Sequence, residues 1–256
     1  MTRVLPWLYL AAAFAFIYLP VGVLVLFSFQ DGTLPVPPFE GPSLRWYAGV
    51  LSDDDLTAAL LNSVVVAAGQ GAVAVTLGFL AAYGLARHVV PGTVFLRALL
   101  IAPLTVSYLI VGLGLLIVVQ QVGLGLSLWT AGIGHVVINL PICFAIIYAA
   151  MGAQQQSAER AARDLGAGEF DVIRLVTVPM LAPAILASYF LSVTLSWDEF
   201  IIAFLLTRFD VTLPVEIWSL LRSGLSPRLN AIGSVVFLVS VTAVVAAEVL
   251  IFRRRR

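Results

Sequence analysis

Residues 159–179 read ERAARDLGAGEFDVIRLVTVP, and seven of the first sixteen positions are charged. The sequence on either side stays apolar for long enough to cross a membrane, so this stretch is a polar island in an apolar chain. Ala158, Ala161, Ala162 and Leu165 recur at i, i+3, i+4 and i+7, which places them on one face of a helix. Glu159, Arg160, Arg163 and Asp164 cover the rest of that helix. Its apolar face is made mainly of small residues and suits a narrow groove. Gly166 and Gly168 then end the helix and allow a sharp reversal. The following EFDVIRLVTV predicts a second short helix, with Phe170, Ile173 and Val176 or Val178 apolar. Pro179 and Pro183 mark the return to the membrane, because proline fits the first turn of a helix.

The rest of the chain explains why such an island stands out. Of 256 residues, 61% are hydrophobic and only 11% are charged, against about 25% charged in ordinary soluble domains. Mean hydropathy is +1.05. Apolar runs near twenty residues identify lipid as the solvent, since about twenty residues of helix cross a hydrocarbon layer of about 30 Å. Six spans are expected: 7–29, 56–85, 98–119, 129–151, 180–207 and 229–252. The fold class is therefore an all-α polytopic membrane protein, with one transmembrane domain over 1–256 and a loop at about 152–179. The first apolar run follows a basic start but is longer than a signal peptide's core of about 7–15 residues, so it is expected to be a retained membrane helix.

Charge and composition exclude several functions. Net charge is zero, so no overall field draws nucleic acid. Cys143 is the single cysteine and is expected to pack between helices; with only His88 and His135 besides, a zinc site is not indicated. All fourteen basic residues are arginine. A phosphate-cradling loop of the G-x-x-x-x-G-K-[ST] type needs a lysine, so any ATP that drives this chain is hydrolysed elsewhere. Arg3, Arg87, Arg97, Arg160, Arg163, Arg174 and Arg253 to Arg256 fall on one side of the expected spans; Arg45, Arg208, Arg222 and Arg228 fall on the other. That asymmetry puts both termini and the island in the cytoplasm. Trp46 and Tyr47, in the proline-rich outer loop, suit the membrane–water boundary. Glu248 is expected to reach the inner interface beside the terminal arginines.

Within the spans, Ala74 and Gly78 form a small-xxx-small pair that suits close helix packing. His135 and Asn139 share one helical face, first as an interhelical hydrogen-bonding pair and second as a wall of a transport path. In the fifth span Ser188, Ser192, Ser196, Glu199 and Ala203 make a small, polar stripe, while Phe190, Val193, Trp197, Ile201 and Phe204 lie opposite. Asp198 stands about 100° from Glu199 on the flank. Intramembrane carboxylates face a cavity or a partner. Two readings stay open: Ser192, Ser196, Glu199 and Asp198 line a path for a cation, or the acids make structural bonds to neighbouring spans. No constellation supports catalysis.

The island, ERAARDLGAGEFDVIRLVTVPMLAP, resembles the cytoplasmic EAA loop of permease subunits in binding-protein-dependent ABC importers. Ala161, Ala162, Gly166, Val176, Val178 and Pro179 fill the places of that pattern. Arg160 stands where the pattern has glutamate, and Glu159 comes one residue early. SLRWYAGVLSDDDLTAALLNSVVVA, residues 43–67, is similar to the segment that enters the second span of such permeases. Residues 195–237 are similar to the spermidine/putrescine-type branch, through Asp198 and Glu199, then Thr212, Leu213 and Pro214, then Arg222, Gly224, Ser226, Pro227, Asn230 and Ala231.

The resemblance implies the type I permease fold of ABC importers and no catalytic role. It implies that the loop, with Glu159, Arg160, Ala161, Ala162, Asp164, Leu165, Gly166, Phe170 and Pro179, docks on an ATPase subunit that binds ATP and Mg. It further implies a homologous second permease, two ATPase subunits, an extracytoplasmic solute-binding protein, and a place among the lipids of a bacterial inner membrane. Polyamines or similar organic cations are the solute it favours; related permeases serve ferric iron, thiamine, opines or other small molecules. An ion-driven secondary transporter is the rival class, and it would need no ATPase.

Overall fold

The computed structural model describes residues 4–253, with side chains at 6–50, 52–242, 244 and 245. Arg3, Glu248 and Arg253 to Arg256, used above for orientation and the inner interface, lie outside the described side chains. The elements are α1 (Val4–Ser28), α2 (Arg45–Leu51), α3 (Asp54–Arg87), α4 (Thr93–Ile101), a 3-10 turn (Ala102–Thr105), α5 (Tyr108–Gln121), α6 (Leu128–Ala150) and α7 (Ala153–Asp164). There follow α8 (Glu169–Val172), a π-helical turn (Ile173–Thr177), α9 (Val178–Trp197), α10 (Ile201–Leu206), α11 (Leu213–Ser223) and α12 (Pro227–Arg253). Among the described residues there is no strand, only an isolated bridge between Gln30 and Pro42.

The chain divides into two compact units, 1–58 with 216–246 and 59–215 with 247–256. In the first, α1 exposes Trp7, Phe16, Ile17 and Leu19, as lipid-facing residues do. The segment after α1 is ordered around buried Gln30, whose amide donates to Pro38 O at 3.2 Å and accepts from Glu40 N at 3.0 Å. Trp46 Nε1 donates to Gln30 O at 2.7 Å, and Ser28 shares a hydrogen with Tyr47 at 2.6 Å. Arg228 of α12 pairs with Asp53, just before α3.

The second unit holds the polar island. Its core packs Ala74, Val75, Ala82, Cys143, Phe144, Ile147 and Leu181 where α3, α6 and α9 meet. Gly78 lets two backbones close up: a Cβ there would stand 2.9 Å from Phe144 N. A second cluster joins Val119, Ala131, Ile138, Ile202 and Leu206. At one end of this unit Asn62 Nδ2 donates to Val211 O at 3.0 Å and Leu213 N donates to Ser63 Oγ at 2.8 Å. In the same unit Ser127 N and Thr130 Oγ1 donate to Leu206 O at 3.0 and 2.8 Å.

Among the described residues four helices are long and apolar enough to cross a membrane: Pro6–Ser28, Asp54–Arg87, Leu128–Ala150 and Glu169–Trp197. Two expected spans are built differently. The third is not straight: Thr93–Thr105 and Tyr108–Gln121 meet at 105°. Pro103 lacks the N–H a continuous helix would use, and Val106 and Ser107 take extended backbone before α5 starts. The fifth begins earlier and stops sooner than expected. Helix is continuous from Glu169 through Pro179 and Pro183, so Pro179 does not mark a fresh start. The π turn before it bonds Val178 N to Ile173 O, an adjustment that accommodates a residue without an N–H. The helix then ends at Trp197, and α10 resumes only at Ile201. The sixth expected span falls in α12, whose apolar stretch within the described residues is Pro227–Thr242.

Candidate functional site

The polar island forms α7, a turn, and the α8 start of the long helix. Gly166 takes φ +89°, a backbone that side chains rarely adopt, and carries the turn. Gly168, by contrast, has ordinary φ as the residue before α8. Inward, α7 presents Gln155 and Glu159, not its alanines. Glu159 is fully buried: Arg87 Nε and Nη2 donate to its two carboxylate oxygens at 2.6 and 3.2 Å, and Thr177 Oγ1 donates at 2.9 Å. One carboxylate thus ties α7 to the end of α3 and to the π turn below α9. Tyr83 hydroxyl donates to Glu169, which also accepts from Arg163 Nε and Nη2 at 3.0 Å each. That carboxylate holds the Arg163 guanidinium above its ordinary range.

Outward, the island shows Arg160, Ala161, Asp164, Leu165, Gly166, Phe170 and Pro179, with Ala162 half-buried. Leu165 is 90% exposed and Phe170 71% exposed, so the outward surface of the island is partly apolar. Glu159 therefore belongs to the internal frame, while Arg160, at the position where the resembled pattern has glutamate, is exposed. Sequence reasoning missed Arg87 and Thr177, because they lie 72 and 18 residues from Glu159.

The polar stripe of the fifth span faces other helices. Ser188, Ser192, Ser196 and Glu199 are buried. Gln70 of α3 donates to Ser192 O at 3.0 Å and accepts from Asn139 of α6 at 3.3 Å. His135 Nδ1 and Ser196 Oγ are 2.6 Å apart. Glu199 accepts from the backbone N–H groups of Ile201, Ile202 and Ala203 at 2.9 to 3.2 Å, capping α10, and its Oε2 stands 3.4 Å from His135 Nε2. His135 Nε2 and Asn139 Oδ1 are buried without a properly directed hydrogen bond. The stripe is thus a seam inside this unit; the hydrogen bonds of Glu199 go to backbone N–H groups within its own expected span, with His135 of α6 beside it.

Asp198 has the opposite surroundings. It is the residue that ends α9, exposed; its backbone N–H donates to Ser196 O, while its carboxylate makes no hydrogen bond or ion pair with the described residues. The helical projection had set it on the flank of a continuous helix; the interruption at 198–200 turns it outward. Beside the seam, an apolar groove of about 400 Å³ runs between α3 and α6, lined by Val65, Gly69, Val73, Trp129, Gly132 and Ile133. Among the described residues no cluster of His, Cys, Asp and Glu could hold a metal ion.

Comparisons with known proteins bear on both regions. The model of the family "binding-protein-dependent transport system inner membrane component" matches residues 74–256. The spermidine/putrescine transport system permease protein PotC of Escherichia coli K12 is 27% identical over 244 residues, 94% of this chain and 92% of its own length. The putrescine transport system permease protein PotI of the same strain is 33% identical over 242 residues, 90% of this chain and 85% of that one. Among solved structures, a bacterial alginate ABC transporter in complex with a pentasaccharide-bound periplasmic protein has a chain with TM-score 0.72 and 15% identity, covering 96% of this chain and 92% of that one. A bacterial ABC transporter for import of alginate gives 0.69 over 98% and 95%.

Proposed function

The chain belongs to the family of inner membrane components of binding-protein-dependent transport systems, and from that premise we propose that it passes a polyamine or similar organic cation inward. It is an ABC importer permease subunit, homologous to the polyamine permeases PotC and PotI. The observation that carries the cation reading is Asp198: an exposed carboxylate with no partner among the described residues, at an interruption of a membrane helix. Such a charge is too costly against lipid and faces a cavity or another chain. Irregular backbone at membrane depth is likewise tolerated where it lines a water-filled path. A path shared with a homologous second permease meets both requirements and places Asp198 on its wall.

The engine is proposed to sit on the island. Leu165 and Phe170 offer an ATPase subunit an apolar contact, and Arg160 and Asp164 frame it with charge. ATP and Mg would bind to that subunit, two copies of which serve the pair of permeases, and a solute-binding protein delivers cargo from outside. Both termini of this chain are then cytoplasmic. The long helix from Glu169 to Trp197 spans 29 residues, about 43 Å at helical rise, and leads from the island directly to Asp198. Movement of the island is thereby delivered at the carboxylate.

The test is uptake of labelled putrescine and spermidine by cells that make the whole transporter, normalised to permease in the membrane. Asp198→Asn keeps size and removes charge, and should lower uptake about tenfold, the factor for 1.4 kcal/mol, with the amount of assembled protein unchanged. Wild-type uptake of both amines by Asp198→Asn would remove the support for a cationic solute and favour a neutral one.

A further inference from the structure

The two pieces of the interrupted helix are held in different ways. α10 sits in a saddle of glycines: a Cβ on Gly134 would stand 2.4 Å from Ile202 Cγ2, and one on Gly112 would stand 2.7 Å from Leu205 Cδ1. Its last carbonyl is bound by Ser127 and Thr130, and its first N–H groups are bound by Glu199. This six-residue helix is therefore fixed to α5 and α6 along its body and to α6 at its C-terminal end. α9 enters the same region from the island, with Ser196 in its last turn.

The imidazole of His135 stands at the joint. Nδ1 meets Ser196 Oγ at 2.6 Å on the α9 side, and Nε2 faces Glu199 Oε2 at 3.4 Å on the α10 side. An ionised carboxylate only accepts. With the carboxylate ionised, the ring hydrogen belongs on Nε2, toward Glu199, and Nδ1 is left to accept the Ser196 hydroxyl. Packing alone does not call for a histidine here, since the site is fully buried and an apolar ring would avoid an unpaired nitrogen.

We propose that His135 is a positioning residue: by bonding Ser196 before the interruption and standing against Glu199 within it, His135 sets the geometry of residues 198–200 and hence where the Asp198 carboxylate stands. The inference deepens the reading of Asp198 as a path residue, and its link to transport rests on that reading; the geometric part does not.

The two parts separate in one experiment on the assembled transporter in membrane vesicles. In a Cys143→Ala background, Asp198→Cys makes position 198 the sole thiol of this chain, and its rate of reaction with a cationic methanethiosulfonate reports the geometry of the interruption. Adding His135→Phe should change that rate about fivefold, and Ser196→Ala about threefold, the factors that one ordinary hydrogen bond commands. His135→Gln, which restores a donor toward Glu199, should return the rate to within about twofold of the parent by the same measure. A reference thiol placed at Val89→Cys in separate chains that keep Asp198 should react at one rate in all four backgrounds. An unchanged rate at position 198 in His135→Phe overturns the proposal. If His135→Phe also disturbs the reference thiol, Ser196→Ala and His135→Gln decide: the parent rate in the first, or no rescue in the second, overturns it. Full uptake by Asp198→Asn, alongside the expected labelling pattern, would instead leave the positioning intact and remove the cation reading.

Discussion

A buried carboxylate keeps its charge only where donors surround it, and Glu159 shows the pattern. It accepts from a guanidinium that is itself 8% exposed and from a threonine hydroxyl. Glu159→Ala strands the Arg87 charge in that enclosure, and losing one partner of a buried pair costs on the order of 3 kcal/mol. Thermal unfolding of the purified protein in detergent should show a clearly lowered midpoint. Adding Arg87→Ala should then cost little more, because the stranded charge goes with it; two additive losses would mean that the pair is not coupled. Glu199 was visible in the sequence as a charge in apolar surroundings, whereas Glu159 stood among the charges of the island with nothing to mark it as buried. Their partners were not, because Arg87 and His135 come from helices that only the packed fold brings near. Asp198 was legible as an acid at membrane depth, but its direction was not. A projection assumes an unbroken helix, and nothing in SWDEF announces the three-residue gap without the glycine saddle that fixes α10 beyond it.

At the scale of elements, the island was the most readable part of the chain. Its charge density, its glycine turn and its two helical pieces follow from local sequence, and local sequence is what a short helix and a tight turn obey. Which face points inward was not readable, because the buried face is polar: Gln155 and Glu159 turn in, and Leu165 and Phe170 turn out. The bend of the third span carried one signal, Pro103, in an otherwise uninterrupted apolar run. The outward face makes a specific prediction. Leu165→Asp and Phe170→Asp replace exposed side chains that this chain does not bury, so expression and thermal stability should stay within about 0.5 kcal/mol of wild type. Association with the ATPase subunit should fall at least about tenfold, since a charge would be buried in an apolar contact. Co-purification from solubilised membranes measures it; full association in both variants would place the contact elsewhere.

For the whole molecule, contacts within the second unit decide how the chain crosses the membrane. Arg87 at the end of α3 is bonded to Glu159 in α7, so those two points lie on one side. Ser127 and Thr130 at the start of α6 are bonded to Leu206 at the end of α10, and Ser63 near the start of α3 to Leu213, which gathers those points on the other. Between Arg87 and Glu159 the chain passes through the bent pair and then α6. Since α6 crosses once, the bent pair must also cross once; a re-entrant loop that returned to its own side would leave Glu159 across the membrane from Arg87. The 105° bend is then a span broken at Val106 and Ser107, not a re-entrant hairpin. With the arginine-rich side cytoplasmic, reporter fusions at Asp53 and Gly125 should read outside, and fusions at Pro91 and Gly168 inside. Gly125 is the decisive site, because it lies between the bent pair and α6. An inside signal at Gly125 together with an inside signal at Pro91 would make the bent pair re-entrant, and with α6 crossing once Glu159 could no longer reach Arg87. The same signal would carry the island to the outer face, away from any cytoplasmic ATPase, so one fusion tests both the crossing pattern and the proposed coupling.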